Sequence, residues 1–511
     1  MPKEEGVGVE DSIRQLNVFF SPKSIAIVGA TKRINKAGHV ILKNFIQNKR
    51  RGIFKGELYP VNPHEDFILG FKCYPELTAI PGELELAVIV VPAETVPKVM
   101  ENAAAKGVKA AVIISSGFSE VGKRELEEKI VAIAKKANIR VLGPNCLGVY
   151  DSKTGVDMLF LPETKVLTTG EEVVATPRPM RGNIAMVTQS GAFGIAVLDY
   201  MTGRQMGLSK FVSFGNKCDV NEAEILHYLL HDEDTRVIMM YIEDVKNGRA
   251  FMKVASDVTK KKPLITIKSG RTQAGARAAS SHTGAIVGSD QVYEAVFKQT
   301  GILRARDMGE FLNMAKALSM QPPASGKNVA IITDAGGAGV ITADECEAIG
   351  LVVKQFSEET LQKFEELKAA GKLPMFATNL NPVDLTGSAT SEMFECAADI
   401  VFQDPEVHGV ILLGMHHVPA LQEDFIDRVA RVASKHEKPI VACDIGETEM
   451  ALYIRSRFDK LGIPAYPSPE DAVRAMGALV KYGLFLKKNN CFSEYLRSFF
   501  KYKREKSLAE A

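Results

Sequence analysis

From residue 24 onward, short apolar runs alternate with stretches whose apolar residues recur at helical spacing. Up to residue 142 the strand-length runs are 24–30, 86–91, 110–115 and 139–142, with amphipathic segments between them. Runs of this length and composition predict parallel strands buried on both faces by the intervening helices. The rhythm breaks over 151–181, where Pro162, Pro177 and Pro179 stand among charged and Thr-rich residues, and a linker is expected there. Alternation resumes with runs at 183–188, 210–214, 237–241 and 263–268, and a helix around 310–319 closes this second unit. Residues 321–326, Gln-Pro-Pro-Ala-Ser-Gly, have linker composition. A third unit opens at 327–333, continues through 409–413 and 439–443, and ends with a helix from about Pro469.

The 511 residues thus divide into roughly three α/β domains, since a chain of this length exceeds one hydrophobic core. The expected bounds are 1–150, 182–320 and 327–484, with linkers at 151–181 and 321–326 and a basic, aromatic tail at 485–511. In that tail Phe492, Tyr495, Leu496 and Phe499 share one helical face, which favours a helix packed on its own domain over a partner-binding helix.

Charge and cysteine usage narrow the classes. Lys+Arg number 63 and Asp+Glu 62, a formal charge of +1, which argues against a nucleic-acid partner. The apolar runs are far short of the roughly 18 residues that span a bilayer, and the first residues lack a signal-peptide core, so a cytoplasmic protein without membrane contact is expected. Seven scattered cysteines with no C-x-x-C pair suggest neither a disulfide framework nor a zinc site, and no metal is expected on this chain.

Two strand-to-helix turns are glycine-rich: Gln189-Ser-Gly-Ala-Phe-Gly194 and Asp334-Ala-Gly-Gly-Ala-Gly339. Free N–H groups at such helix starts can bind phosphate where glycine permits close approach, although a turn of this kind is as often unliganded. The dinucleotide reading of the second turn fails at Thr342, and no G-x-x-x-x-G-K-[ST] occurs, which excludes a P-loop ATPase. His282 lies in the small-residue run Ala278-Ala-Ser-Ser-His-Thr-Gly-Ala285, and Glu243 where a strand ends. A loop histidine can accept a phosphoryl group, with a carboxylate fixing its tautomer, yet alone it is more often simply solvated. His227 and His231 have helical i,i+4 spacing without the H-E-x-x-H pattern and read as a solvated face; His416 and His417 end a strand, where a substrate contact is a minor possibility. Cys146 reads as a small residue packed beside a site, not a nucleophile.

Further motifs stand in order along the chain: Ser24-Ile-Ala-Ile-Val-Gly-Ala-Thr31, Tyr59-Pro-Val-Asn-Pro63, Val90-Val-Pro-Ala93, Ser115-Ser-Gly-Phe-Ser-Glu120, Gly143-Pro-Asn-Cys-Leu-Gly148 and the run from Lys268 to Ala285 that contains His282. In these the chain resembles, over nearly its whole length, the α subunits of ADP-forming acetyl-CoA synthetases, relatives of succinyl-CoA synthetase. The resemblance implies a Rossmann-like CoA-binding domain followed by two flavodoxin-like domains with parallel sheets. It implies CoA contacts from Gly29, Ala30, Thr31, Asn62, Pro63, Val91, Pro92, Ala93, Ser116, Gly117, Phe118 and Asn145. His282 becomes the phosphorylated residue, steadied by Glu243, with its phosphate cradled by Ser190, Gly191 and Ala192 and by Gly336, Gly337, Ala338 and Gly339. The residue before the histidine is Ser281 where succinyl-CoA synthetase has glycine, which fits the acetate-type branch, and the stretch 161–179 is longer than in that enzyme.

The family's ATP-grasp nucleotide domain has no room after the third unit. The resemblance therefore implies a separate β subunit that brings ADP/ATP and Mg2+, in an α2β2 assembly. The implied reaction turns acyl-CoA, phosphate and ADP into acid, CoA and ATP through an acyl phosphate and a phosphohistidine. A catalytically inactive, CoA-binding regulatory protein is the alternative. A nicotinamide-dependent dehydrogenase rests only on fold-level analogy.

Overall fold

Strand β1, Ser24–Val28, is buried along its whole length, as a parallel strand covered on both faces must be. The computed structural model describes residues 9–277 and 289–510. After helix α1 (Val9–Phe20), β1 is joined by β2 (Glu57–Val61), β3 (Leu86–Ile89), β4 (Ala110–Ile113) and β5 (Arg140–Leu142) in a parallel sheet of order β2-β1-β3-β4-β5. Its alternating side chains feed two cores. Ile25, Ile27 and Val88 pack with Leu42 and Phe45 of α2 (Ala37–Arg50), while Ala26, Ala87 and Ile89 pack with Met100 of α3 (Val96–Lys106) and Ile130 of α4 (Arg124–Ala137).

A second sheet follows in the same compact unit, which ends at Arg304. Strand β6 (Gly148–Asp151) is its antiparallel edge, and a small hairpin, β7 (Thr164–Val166) and β8 (Glu172–Val174), precedes β9 (Arg181–Thr188). Strands β10 (Leu208–Ser213), β11 (Val237–Ile242), β12 (Leu264–Lys268) and β13 (Leu303–Arg304) complete the order β13-β12-β11-β9-β10-β6. Its helices are α5 (Gly191–Gly203), α6 (Glu222–His231), α7 (Gly248–Thr259) and α8 (Asp290–Thr300).

The other unit, from Ala305, holds one sheet. Helix α9 (Met308–Met320) leads to β14 (Val329–Thr333), α10 (Gly336–Ala348), α11 (Glu358–Ala369), β15 (Val383–Asp384), α12 (Ser391–Gln403), β16 (Gly409–Leu413) and α13 (Phe425–Ala433). Then come β17 (Ile440–Cys443), α14 (Glu449–Lys460), β18 (Ala465–Tyr466), α15 (Pro469–Lys488) and α16 (Phe492–Glu510). The parallel order is β15-β14-β16-β17-β18. In all three sheets the first parallel strand stands beside the second on one side and the third on the other, a doubly wound order that opens a crevice at the strands' C-terminal edge.

Both expected linkers carry tertiary contacts. In 151–181 the chain buries Val156, Met158 and Leu159 and clamps Arg178 onto Asp157 at 2.8 Å, with both side chains almost fully buried. In 321–326 the Ala324 N–H donates to the Leu479 carbonyl, and Gly483 permits this passage: a Cβ there would stand 1.9 Å from the Ala324 carbonyl oxygen. Between the contacts of 151–181, residues 163–172 are exposed. Helix α9, expected to close the second unit, packs on α15, where Lys316 pairs with Asp459 at 2.7 Å and Tyr466 donates to the Asn313 carbonyl at 2.9 Å. In the tail, Tyr495 and Phe499 are buried, and Tyr495 meets the Tyr482 ring edge-on at 5.2 Å.

Candidate functional site

The glycines of the first sheet mark close backbone approaches at its C-terminal edge. Gly29 has φ +93° directly after β1, and a Cβ on Gly38, at the start of α2, would stand 2.1 Å from the Gly29 carbonyl oxygen. Only glycine at 38 lets the helix begin this close to the strand end. Around this turn Asn62 donates to the Ala30 carbonyl at 2.8 Å, and the His39 ring contacts the Thr31 carbonyl at 3.0 Å. Gly29, Ala30 and Thr31, Asn62 and Pro63, Val91, Pro92 and Ala93, and Ser116, Gly117 and Phe118 all follow the ends of β1 to β4, so one sheet edge gathers them. Glu120 shapes the last of these loops by accepting from the Gly117 N–H at 2.5 Å and the Phe118 N–H at 3.2 Å.

The turn after β5 fastens this edge to the second sheet. Asn216 N–H donates to the Pro144 carbonyl and Cys218 N–H to the Gly143 carbonyl, both at 3.0 Å. Gly215 is required beneath them, because a Cβ would come within 2.2 Å of the Asn145 carbonyl oxygen. The Asn216 amide then reaches across to Glu120 at 2.6 Å and Glu127 at 3.0 Å. Between the two sheets lies a cleft of about 590 Å³, and Asn145, Glu120, Gln189, Asn216, Glu243 and Lys246 are among its walls.

Glu243 follows β11 directly and is 5% exposed. Its N–H donates to Gln189 Oε1 at 3.0 Å, and one carboxylate oxygen accepts from the Tyr241 hydroxyl at 3.3 Å. The Tyr241 ring stacks on Phe193 of α5 at 4.2 Å. Beside it Asp244 accepts from Gln189 Nε2 at 2.5 Å and from the buried Lys217 ammonium at 2.9 Å. Burial opposes ionisation of Asp244, but Lys217 and Gln189 more than offset it and hold the carboxyl below its ordinary range. Helix α5 starts at Gly191 with Ser190 as its N-cap, whose hydroxyl accepts from Phe193 N–H at 3.4 Å. The remaining N–H groups of that first turn, Gly191 and Ala192, have no partner within the helix, as at any helix start. His282 lies outside the described residues.

In the other unit, α10 begins at Gly336 without any side-chain cap, and nothing stands near Gly337. Carboxylates surround this helix start, however. Asp384 Oδ2 sits 2.7 Å from the position of a Gly336 Cβ, and Asp334 accepts from the Met415 N–H with both oxygens. Burial, with Asp444 and Asp384 nearby, pushes the Asp334 carboxyl up to about 7. His416 is held by Asp444 at 2.6 Å. The glycine turn at 336–339 is thus open to an anion at its backbone and flanked by acids at its sides.

Several contributors carried little signal in sequence. Gln189 and Glu120 lie inside quoted motifs without a chemistry of their own, and Asp244, Lys217 and Asn216 belong to none. Cys146 is buried, its thiol pushed up to about 12 by burial and donating to the Ile113 carbonyl, which makes it a packing residue. Among the described residues no cluster of three His, Cys, Asp or Glu side chains is placed to hold a metal, and His227 and His231 merely pack edge-on at 5.1 Å. No helix of the described residues is long and apolar enough to cross a membrane.

Comparison with known proteins places these features together. A CoA binding domain matches residues 23–152, a succinyl-CoA ligase like flavodoxin domain 181–318 and a Ligase-CoA domain 329–485. The α subunit of acetate–CoA ligase [ADP-forming] I of Pyrococcus furiosus is 41% identical over 476 residues, covering 91% of this chain and 97% of its own length. An acetate–CoA ligase [ADP-forming] of Methanocaldococcus jannaschii is 39% identical over 95% of this chain, which spans 65% of that longer protein. The acetyl-coenzyme A synthetase 1 of Ca. Korarchaeum cryptofilum, solved in complex with phosphate and ADP, superposes with a TM-score of 0.83 at 35% identity, covering 94% of this chain and 98% of its own. The chain belongs to the family of ADP-forming acetate–CoA ligases, of the α-subunit type.

Proposed function

We propose that this chain performs the acyl-CoA half of an ADP-forming acyl–CoA ligase, acetate-type, and passes a phosphoryl group through His282 to a nucleotide-binding partner. What carries this reading is the single cleft that brings Glu243 and Asn145, from two different sheets, onto common walls. CoA lies along the edge formed by Gly29–Thr31, Asn62, Pro63, 91–93 and 116–118, where close backbone approach favours a phosphate-bearing ligand.

In the first step a phosphate oxygen attacks the thioester carbonyl, the C–S bond breaks, and CoA leaves as a thiolate that takes up a proton. A ring nitrogen of His282 then attacks phosphorus, the P–O bond to the acyl group breaks, and the carboxylate departs. Glu243 accepts from the other ring nitrogen, fixing the tautomer and stabilising the cationic adduct. The helix start at 190–192 supplies N–H donors to the phosphate, the start at 336–339 of the other unit offers donors of the same kind, and such preorganised polarity is the main source of transition-state stabilisation. ADP and Mg2+ belong to an ATP-grasp β subunit, in an α2β2 assembly, which takes the phosphoryl group and forms ATP. Three domains with the bounds 1–150, 182–320 and 327–484 divide this work, in the cytoplasm.

Intact-mass analysis after incubation with acetyl-CoA and phosphate tests the reading. One phosphate adduct, labile in acid, stable in base and missing in His282→Ala, is the expected result. A wild type that binds CoA but never gains phosphate, even with a β subunit and ATP, returns the chain to the regulatory CoA-binding reading.

A further inference from the structure

The unit that begins at Ala305 carries a second cleft, of about 620 Å³, at the other edge of its sheet from Gly336. It opens where β17 and β18 begin, beyond the end of α13, with α16 forming one wall. Ligands of open parallel sheets gather at the C-terminal edge, so a cleft at the N-terminal edge is separate from the crevice assigned above to chemistry.

Its walls are cationic. Lys435, Lys438, Lys503 and Arg504 converge on it beside the His436 ring, against a single carboxylate, Glu437, among the described lining residues. In a chain with 63 basic and 62 acidic residues, cations are ordinarily matched by acids. Lys501, on the same helix α16, pairs with Glu505 at 3.8 Å. Among the described residues, by contrast, no carboxylate pairs with Lys435, Lys438, Lys503 or Arg504; Lys438 donates only to the backbone carbonyl of Asp404.

Lys503 states the imbalance most sharply. Its ammonium lies 3.5 Å from the position of a Gly462 Cβ and 5.4 Å from the centre of the Phe499 ring. Burial, with Lys506 adding to it, pushes its pKa down to about 8. A half-buried cation without a counter-ion is costly, and an anionic ligand removes that cost. His436 is likewise pushed down by burial and by Lys438, so near neutral pH it offers an uncharged ring nitrogen. Phe500, Pro322 and Ala433 provide apolar wall between the charges. The volume falls within the roughly 300–1,000 Å³ of small-molecule sites.

We propose that this cleft binds a small molecule bearing two or more phosphate-type charges, as an effector site apart from the catalytic crevice. Lys503 and Arg504 from α16 and Lys435 and Lys438 from the loop before β17 take the anion with charge-assisted hydrogen bonds, and the apolar wall takes any uncharged body.

Calorimetry on the full chain, with CoA at saturation to occupy the first sheet edge, tests this with inorganic tripolyphosphate in one arm and ADP in another. Binding of both probes places the recognition in the phosphates; binding of ADP alone adds the nucleoside to it. Lys503→Gln/Arg504→Gln is expected to weaken either probe by roughly tenfold or more, with Lys501→Gln unchanged. The probe is also expected to raise the unfolding temperature of the wild type and not of the double variant, which shows in the same scan that the variant is folded. Equal affinity in wild type and double variant overturns the proposal. So does a wild type that ignores both probes, including one that instead retains a poly-glutamate peptide, an outcome that makes the cleft a face for an acidic polypeptide.

Discussion

Gln189 holds Glu243 and Asp244 with one side chain: its amide oxygen accepts from the Glu243 N–H at 3.0 Å while its amide nitrogen donates to Asp244 at 2.5 Å. The end of β9 therefore sets where the carboxylate after β11 points. Gln189→Ala frees that segment without touching the first sheet. Phosphorylation of the chain from acetyl-CoA and phosphate is expected to slow by roughly a hundredfold, the scale of a 1 Å misplacement, with CoA affinity unchanged. Quench-flow phosphorylation beside CoA calorimetry checks both halves; an equal loss in both places Gln189 in general stability instead.

Lys217 is 2% exposed and stands between Glu222 at 3.2 Å and Asp244 at 2.9 Å. Lys217→Met strands two carboxylates against a buried wall. A loss of about 3–5 kcal/mol is expected in urea unfolding, because breaking a buried pair leaves an uncompensated charge. Adding Glu222→Gln restores part of it; no recovery in the double variant refutes the electrostatic cause.

Gly38→Ala drives a methyl group toward the Gly29 carbonyl oxygen, only 2.1 Å away, and backbone has to move. CoA affinity is expected to fall by at least about tenfold. Gly52→Ala is the control: φ is +73° there with nothing within 4 Å, so it costs about 1–2 kcal/mol of left-handed strain and leaves CoA binding alone.

Asp334 gives a pH signature. Burial raises its folded pKa from 3.8 to about 7, so between those values the native state holds more protons than the unfolded one. Stability from this group therefore falls as pH rises through that window and is lowest above about pH 7. Asp334→Asn keeps the acceptor for Met415 N–H and removes the titration. The variant's urea midpoint relative to wild type is expected to rise between pH 5 and pH 8, by no more than about 4 kcal/mol in unfolding free energy. A pH-independent difference contradicts the raised pKa.

Much of the layout is local in origin and was legible before any coordinates. β1, β3, β4, β9, β11, β14 and β16 are apolar runs that only a sheet covered on both sides can bury, and their spacing dictates helices between them. The glycine turns at 190–194 and 336–339 were equally visible, since close approach needs glycine wherever it occurs. What escaped was short or conditional. The two-residue strands Val383–Asp384 and Ala465–Tyr466 exist only because a neighbouring strand pairs with them. Pro162, Pro177 and Pro179 read as a linker, while the ion pair of Asp157 with Arg178 closes across that stretch, beyond any periodicity.

The sequence by itself determined the alternation, the motifs and, through them, the family, because buried strands and glycine turns are written in neighbouring residues. Only the tertiary structure decided that α9 packs with α15, that Gln189 clamps Glu243 and Asp244, and that Lys435, Lys503 and Arg504 converge on one cleft. Each of these joins residues far apart in the chain. Their energy is in desolvated charge and packing, which depend on what folding brings near and not on what stands next in sequence.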